Sequence, residues 1–188
     1  MPDPVWLLRD GQVMLRRWRR DDLDTLVLHA DDPAVSCGLA DRFPHPYTRA
    51  DGEAFLDGRV LDLEGPVFAL VIDGQACGSI GATLGTGERR CSASLGYWLG
   101  QRHWRRGIMT DVVAAYAPWL MERYGLSRLQ AEVLDFNEAS ARVLLGNGFV
   151  EEGRARAAVI KRGVLHDLRR FALTRAAVGT MIGAHGAM

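Results

Sequence analysis

Residues 95 to 110 read LGYWLGQRHWRRGIMT, in which an apolar run gives way to two arginines, a glycine and a new apolar pattern. The run ending at Leu99 predicts a strand, and the apolar spacing after Gly107 predicts a helix. The first N–H groups of a helix have no partner within it, and the helix dipole adds positive charge there. Arg105 and Arg106 can add charge-assisted hydrogen bonds. The corner therefore predicts a phosphate or diphosphate site, although many helices that begin this way bind nothing.

Outward from this stretch, short strands alternate with helices. Asp73 and Gly74 separate two apolar runs, which is a strong signal for a hairpin. We predict strands over residues 12–18, 67–72, 77–84, 92–99, 128–134, 149–160 and 166–174. We predict helices over residues 21–30, 49–64, 107–125 and 137–148. This order predicts an α+β fold with one central mixed sheet, whose strands 67–99 form an antiparallel meander.

Composition bounds the class of protein. The 188 residues are 48% hydrophobic, enough for one substantial core, so we expect a single domain over residues 1–175 and a flexible tail over 176–188. Lysine plus arginine and aspartate plus glutamate both number 23, so the formal net charge is zero. No general field therefore recruits nucleic acid or an anionic membrane, and neither is an expected partner.

The three cysteines have unrelated spacings and no Cys/His cluster accompanies them, so neither a disulfide framework nor a metal site is expected. The first residues, MPDPVWLLRDG, lack the pattern of a signal peptide, and no apolar run is long enough for a membrane span. We therefore expect a cytoplasmic protein with reduced thiols.

Several ordered motifs resemble the GNAT superfamily of acyl-CoA N-acyltransferases, specifically the branch of ribosomal-protein alanine N-acetyltransferases. They are LGYWLGQRHWRRGIMT, NEASARVLLGNGFVEEG, the LRRW start, PHPYT and a closing GVLHDLRRFAL. The resemblance implies a mostly antiparallel sheet of about seven strands, flanked by about four helices, with splayed central strands. Its phosphate-loop pattern, R/Q-x-x-G-x-G/A, falls on residues 104–109. Only Gly107 is retained, because Arg105 replaces a frequent glycine and Met109 a small residue.

The resemblance also implies how acetyl-CoA would bind. The diphosphate would lie on Arg105, Arg106, Gly107, Ile108, Met109 and Thr110. The backbone of Tyr97, Trp98 and Leu99 would pair with the pantetheine arm, and a strand N–H near Trp98 or Leu99 would stabilise the oxyanion. Asn137 would reach the arm from the other side, in addition to a role as helix cap.

The catalytic residues of the family are only partly present in this sequence. Many superfamily members place a tyrosine where this chain has Leu144, whereas the ribosomal branch has a serine at the position of Ser140. Ser140 is therefore the expected proton donor or sulfur-orienting group. It lies three residues after Asn137 and so on nearly the same helical face.

The general base is open, because the usual acidic positions hold Ser94 and Val159. His166 is one candidate, since imidazole titrates near neutral pH, and Asp167 could bind the substrate amine. Neighbouring strand residues point to opposite faces, however, so both cannot face one cleft. Alternatives are His103, Glu151, Glu152 or a water chain. Tyr47, in the PHPYT loop, is expected to help shape the acceptor pocket.

The resemblance implies an N-acetyltransferase that moves acetyl from acetyl-CoA directly to a primary amine, either a small molecule or a protein N-terminus. The altered loop and the missing carboxylates motivate an alternative, a non-catalytic acyl-CoA-binding or sensory domain. A longer acyl-CoA is also open. The final strands could pair two copies in a homodimer.

Overall fold

The computed structural model describes residues 5–175, and the predicted tail at 176–188 lies outside this range. Its strands are β1 (Trp6–Leu8), β2 (Val13–Arg16), β3 (Val67–Ile72), β4 (Gln75–Leu84), β5 (Ser92–Leu99), β6 (Arg128–Leu134), β7 (Val150–Lys161) and β8 (Val164–Thr174). Its α-helices are α1 (Leu23–Ala30), α2 (Pro33–Cys37), α3 (Arg49–Leu56), α4 (Ile108–Arg123) and α5 (Glu138–Gly146). No helix in this range is both long and apolar enough to cross a membrane.

The strands form one sheet in the order β1-β2-β3-β4-β5-β6-β8-β7. Neighbours are antiparallel except β5 and β6, which run parallel. Asp73 and Gly74 have φ of 51° and 76°, as a two-residue hairpin turn requires. The predicted α+β class and the meander are therefore confirmed. The described residues add a short first strand, β1, and a short helix, α2, to the predicted set.

The sheet separates two apolar clusters. The larger lies on the face covered by α4 and α5 and includes the fully buried Phe68, Tyr116, Leu129 and Phe171. The smaller lies on the other face, where α1 and α3 meet Tyr47 and Trp98. Because strand residues alternate in direction, β5 supplies both clusters: Leu95 and Leu99 enter the larger, and Trp98 enters the smaller.

One helix was predicted too long. The helix that begins after Thr48 ends at Leu56 and does not continue to residue 64, because Gly58 adopts φ of 74°, outside the helical region. At the start of α1, the carboxylate of Asp22 makes no cap hydrogen bond to the helix. Instead it accepts hydrogen bonds from the Arg16 guanidinium at 2.7 Å and from the N–H of Arg19 at 2.9 Å.

Candidate active site

The parallel pair at the centre of the sheet is incomplete. β5 and β6 pair only where Ser92–Ser94 face Arg128–Gln130, and beyond these residues the two strands part. A cavity of about 1150 Å³ fills the gap and reaches the loop before α4, the start of α5 and the loop between α2 and α3. The splay implied by the sequence resemblance is thus present, and it forms one continuous cleft through the sheet.

The register of β5 decides which of its backbone groups face this cleft. The N–H of Gly85 donates to Ser92 O and that of Gly100 donates to Cys77 O, which fixes the hydrogen-bonding phase of the β4–β5 pair at both ends. Backbone groups alternate between the two edges of a strand. Those of Trp98 therefore point to β4, whereas those of Tyr97 and Leu99 point to the cleft.

The sequence resemblance implied that the backbones of three residues pair with the pantetheine arm. In this register only the backbone groups of Tyr97 and Leu99 face the cleft and can do so. Trp98 lines the cavity with its side chain instead. The carbonyl of Leu99 already accepts a hydrogen bond of 2.6 Å from the indole of Trp104. This bond ties the end of β5 to the loop that precedes α4, and it leaves the Leu99 N–H as the donor of that residue toward the cleft.

The loop before α4 has the geometry of an anion site. Arg105 and Gly107 both have positive φ, of 58° and 73°. Among residues 5–175, no backbone or side-chain acceptor is recorded for the N–H groups of residues 105–110. Consecutive unpartnered N–H groups at a helix start bind anions well. The left-handed conformation at Arg105 also explains why glycine is frequent at that position of the family pattern.

A further guanidinium reaches this loop from a distant part of the chain. Nε of Arg9, between β1 and β2, forms an ion pair of 2.5 Å with Asp111 in the first turn of α4. Nη2 of Arg9 lies so near that a Cβ at position 107 would be 2.9 Å from it. The sequence offered no signal for Arg9, because Arg9 and Asp111 are 102 positions apart.

On the opposite wall, the start of α5 meets the side chain of Tyr97. Asn137 caps the helix by accepting from the N–H of Ser140 at 3.2 Å, as expected. Ser140 Oγ lies 2.9 Å from the hydroxyl of Tyr97, which also lies 3.1 Å from Ser140 O. Burial raises the pKa of Tyr97 to about 12. A neutral phenol thus supports the serine hydroxyl, a contact that sequence reasoning missed.

The two candidates on β8 do not reach the cleft. His166 Nδ1 lies 3.0 Å from Asp135 Oδ1, and the His166 ring packs edge-on against Phe136. Asp167 accepts from the N–H of Ala157 at 2.8 Å and stabilises the bulge in β7. Neither side chain lines the cavity. The predicted roles of His166 as base and Asp167 as amine ligand therefore have no support in the geometry.

Of the alternative bases, Glu151 and Glu152 are also held outside the cleft. Their carboxylates form ion pairs with Arg169 and Arg128, respectively. His103 does line the cavity but is buried, and its Nδ1 has no hydrogen-bond partner among the described residues. Its ring stacks 5.6 Å from that of His29. Burial, and the nearby His29 and arginines, lower the pKa of His103, so the neutral form is favoured.

The structure instead brings one carboxylate of β6 into the cleft. Glu132 lines the cavity together with Gln130. Ala131 and Val133 enter the larger cluster, so Glu132 points to the opposite face, the face of Trp98. Its carboxylate also contacts Arg170 Nε at 3.2 Å. A charged residue inside the apolar run RLQAEVL was a signal for this residue, which sequence reasoning did not use.

Tyr47 lies where the sequence placed it, at the wall of the cavity on the Trp98 face. Its N–H donates to Asp31 at 2.9 Å, and its hydroxyl makes no recorded hydrogen bond within residues 5–175. Burial raises the pKa of Tyr47 to about 12, so the phenol stays a hydrogen-bond donor at neutral pH.

The sequence and the fold were compared with those of known proteins. Residues 12–150 match the family model described as an acetyltransferase (GNAT) domain. The match covers more than half of the chain and includes both strands of the parted parallel pair. The chain belongs to the GNAT acetyltransferase family.

Similar proteins include two from Bacillus subtilis strain 168. YoaA, an uncharacterized N-acetyltransferase, is 34% identical over 88 residues, which are 47% of this chain and 50% of YoaA. YdaF, provisionally named a ribosomal N-acetyltransferase, is 32% identical over 115 residues, which are 61% of this chain and 62% of YdaF. The matches thus span only about half to three fifths of these relatives.

Among solved structures, RimL, a ribosomal L7/L12 alpha-N-protein acetyltransferase in complex with coenzyme A, superposes with a TM-score of 0.78. The match covers 91% of this chain and 98% of that chain at 19% sequence identity. At this identity the likeness establishes the shared fold.

Proposed function

We propose that this protein transfers an acetyl group from acetyl-CoA directly to a primary amine, within a single domain over residues 1–175. The observation that carries the proposal is the continuity of the cleft. It joins the unpartnered N–H groups of residues 105–110, the strand edge with the backbone of Tyr97 and the N–H of Leu99, and the carboxylate of Glu132. Holding both substrates in one such cleft removes much of the entropic barrier to transfer.

In this proposal the diphosphate lies on the N–H groups of residues 105–110, with Arg105 and Arg106 adding charge. The pantetheine arm extends between β5 and β6 as an additional strand on the edge of Tyr97 and Leu99. That alignment places the thioester near Leu99 on one side and near Ser140 on the other. Asn137 Nδ2 has no recorded partner within residues 5–175 and is available to the arm.

Transfer of the acetyl group requires three catalytic groups from the protein. The Leu99 N–H donates to the oxyanion that develops when the amine attacks the thioester carbonyl. Ser140, supported by Tyr97, donates to the sulfur as the thiolate leaves. Glu132, directly or through a water molecule, accepts the proton that the ammonium must lose before or during attack.

The decisive experiment measures thiol release from acetyl-CoA with a panel of primary amines, followed by mass spectrometry of the products. We expect the mass of the acceptor to rise by that of one acetyl group less one hydrogen. Coenzyme A binding without turnover on any amine would instead establish the non-catalytic acyl-CoA-binding domain. Turnover only with a longer acyl-CoA would revise the donor and retain the mechanism.

Charge reversal tests the phosphate site separately. Changing Arg105 and Arg106 together to glutamate should weaken coenzyme A, and should not weaken its dephosphorylated pantetheine fragment comparably. Arg89 and Arg90, an exposed pair in the turn between β4 and β5, provide a control with the same change in net charge. Equal losses for both ligands, or for both arginine pairs, would contradict the assignment.

A further inference from the structure

The part of the cavity that lies beyond Glu132, on the face opposite α4, has an aromatic wall. The ring of Phe43 lies 5.0 Å from that of Tyr47 and 5.3 Å from that of Trp98. Phe55 belongs to the same cluster. We call these four side chains, Phe43, Tyr47, Phe55 and Trp98, the aromatic wall. All four line the cavity, so the wall faces an open space and is not merely core packing.

The rest of this half of the cavity is also apolar. Helix α2, the loop between α2 and α3 and the segment after α3 contribute side chains that complete the enclosure, namely Val35, Leu39, Pro44, Val60 and Leu61. Val60 is 41% exposed although it is a large aliphatic residue. Apolar surface that faces a cavity gains free energy when an apolar group of a ligand covers it.

Charge on this half is sparse. Its charged lining residues are Arg42, Asp51 and Glu132. Asp51 is committed to α3, because its carboxylate accepts from Thr48 N at 2.8 Å and from Thr48 Oγ1 at 2.6 Å. Glu132, which also contacts Arg170 Nε at 3.2 Å, is the other carboxylate on this half and is the group that can face an ammonium ion, while the exposed Arg42 opposes additional positive charge. A polyamine or aminoglycoside brings several cations and would need several carboxylates here.

We propose that the acceptor is a monoamine whose amino group is joined to an aromatic or bulky apolar group. This rests on the proposed function. The amino group lies at Glu132 near the thioester, and the apolar group packs on the aromatic wall. The same chemistry occurs in a free arylalkylamine and in a peptide whose first residue is aromatic. Polycations are not expected to be preferred acceptors.

The test compares 2-phenylethylamine, phenylalanyl-peptide, ethanolamine and spermidine as acceptors with saturating acetyl-CoA. We expect kcat/KM for 2-phenylethylamine or the peptide to exceed that for ethanolamine by on the order of a hundredfold, because a filled apolar pocket discriminates strongly. The ratio between these two apolar acceptors identifies whether the source is a small amine or an N-terminus. A preference for spermidine or ethanolamine overturns the inference and leaves the acetyltransferase function standing.

Phe43→Ala should lower kcat/KM for the apolar acceptors by about ten- to fiftyfold, with little change for ethanolamine or in KM for acetyl-CoA. Leu28→Ala is the control, because it removes an exposed side chain of α1 that does not line the cavity. It should leave kcat/KM for every acceptor and KM for acetyl-CoA unchanged. An equal loss on all acceptors contradicts the role of the wall.

If no amine is acetylated, the proposed function fails. Calorimetry of 2-phenylethylamine with the coenzyme A complex then decides the inference separately, because absence of binding overturns it.

Discussion

Replacing Ser140 with alanine tests how the leaving thiolate is stabilised. The hydroxyl lies 2.9 Å from the Tyr97 hydroxyl, and its own backbone N–H is held by Asn137. Tyr97 has a single proton and two acceptors on Ser140, the carbonyl oxygen at 3.1 Å and Oγ at 2.9 Å. When Tyr97 donates to Oγ, the serine proton is free to point to the sulfur. Alanine removes this donor without disturbing the helix cap, since the cap uses the backbone of residue 140.

The size of the effect follows from the pKa values. Burial raises the pKa of Tyr97 to about 12, whereas a thiol titrates near ~8.5. Full proton transfer from this phenol to a thiolate is therefore unfavourable by roughly 3.5 units, or about 5 kcal/mol. We therefore expect the pair to donate a hydrogen bond to the developing anion and not to deliver a proton. A hydrogen bond to a charged group contributes about 1.5–3 kcal/mol, which corresponds to a loss in kcat of roughly 10- to 150-fold.

The assay is thiol release under saturating acetyl-CoA and acceptor, from pH 7 to pH 10, with coenzyme A affinity measured by calorimetry. We expect Ser140→Ala to lower kcat by roughly 10- to 150-fold at every pH and to change the affinity for coenzyme A by no more than about twofold. Tyr97→Phe should lower kcat less, and the double variant should lose less than the product of the two losses. Unchanged kcat, or a loss confined to the affinity, would refute the reasoning.

Three other changes follow from the same cleft. Glu132→Gln should lower kcat/KM for the amine by about 10²- to 10⁴-fold while KM for acetyl-CoA stays constant, and activity within threefold of the unmodified protein would exclude Glu132 as base. Arg9→Gln should weaken coenzyme A by about threefold to tenfold at low ionic strength and less at high salt, as measured by calorimetry; an unchanged affinity would remove Arg9 from the phosphate site. His103 has a folded-state pKa lowered from 6.5, so the unfolded chain binds more protons and the free energy of unfolding should fall as pH drops below about 6.5. His103→Phe should flatten that fall in urea denaturation at pH 7.5 and 5.5, and an unaltered slope would assign it to other groups.

The fold was predictable where local patterns were strong. The bounds of β3, β5 and β6 match their predicted ranges, because each is an apolar run of strand length bounded by turn residues. The three residues of β1 were missed, since a run this short has no measurable period. α3 was overextended because its apolar spacing continues beyond Gly58, although the positive φ of that glycine ends the helix.

The site was predictable only in part, because side-chain direction depends on register. The resemblance placed Asn137 and Ser140 on one wall, and both lie there. It could not show that His166 turns toward Asp135 or that Glu132 turns toward the cleft. A strand residue changes faces with every step, so an alignment uncertain by one position cannot distinguish a catalytic carboxylate from a surface one.

Arg105 shows how the proposed phosphate site can tolerate the altered family pattern. Its φ of 58° places an ordinary residue in the left-handed region, which costs about 1 kcal/mol. The turn is nevertheless fixed at its start, where the Trp104 indole donates to Leu99 O, and at its end, where Gly107 directly precedes α4. Because the loop offers main-chain N–H groups, the arginine keeps every donor that a glycine would provide and adds a guanidinium. In the proposed complex, arginine at position 105 therefore costs backbone strain but adds positive charge next to the diphosphate, and the main-chain N–H groups keep the geometry of an anion site.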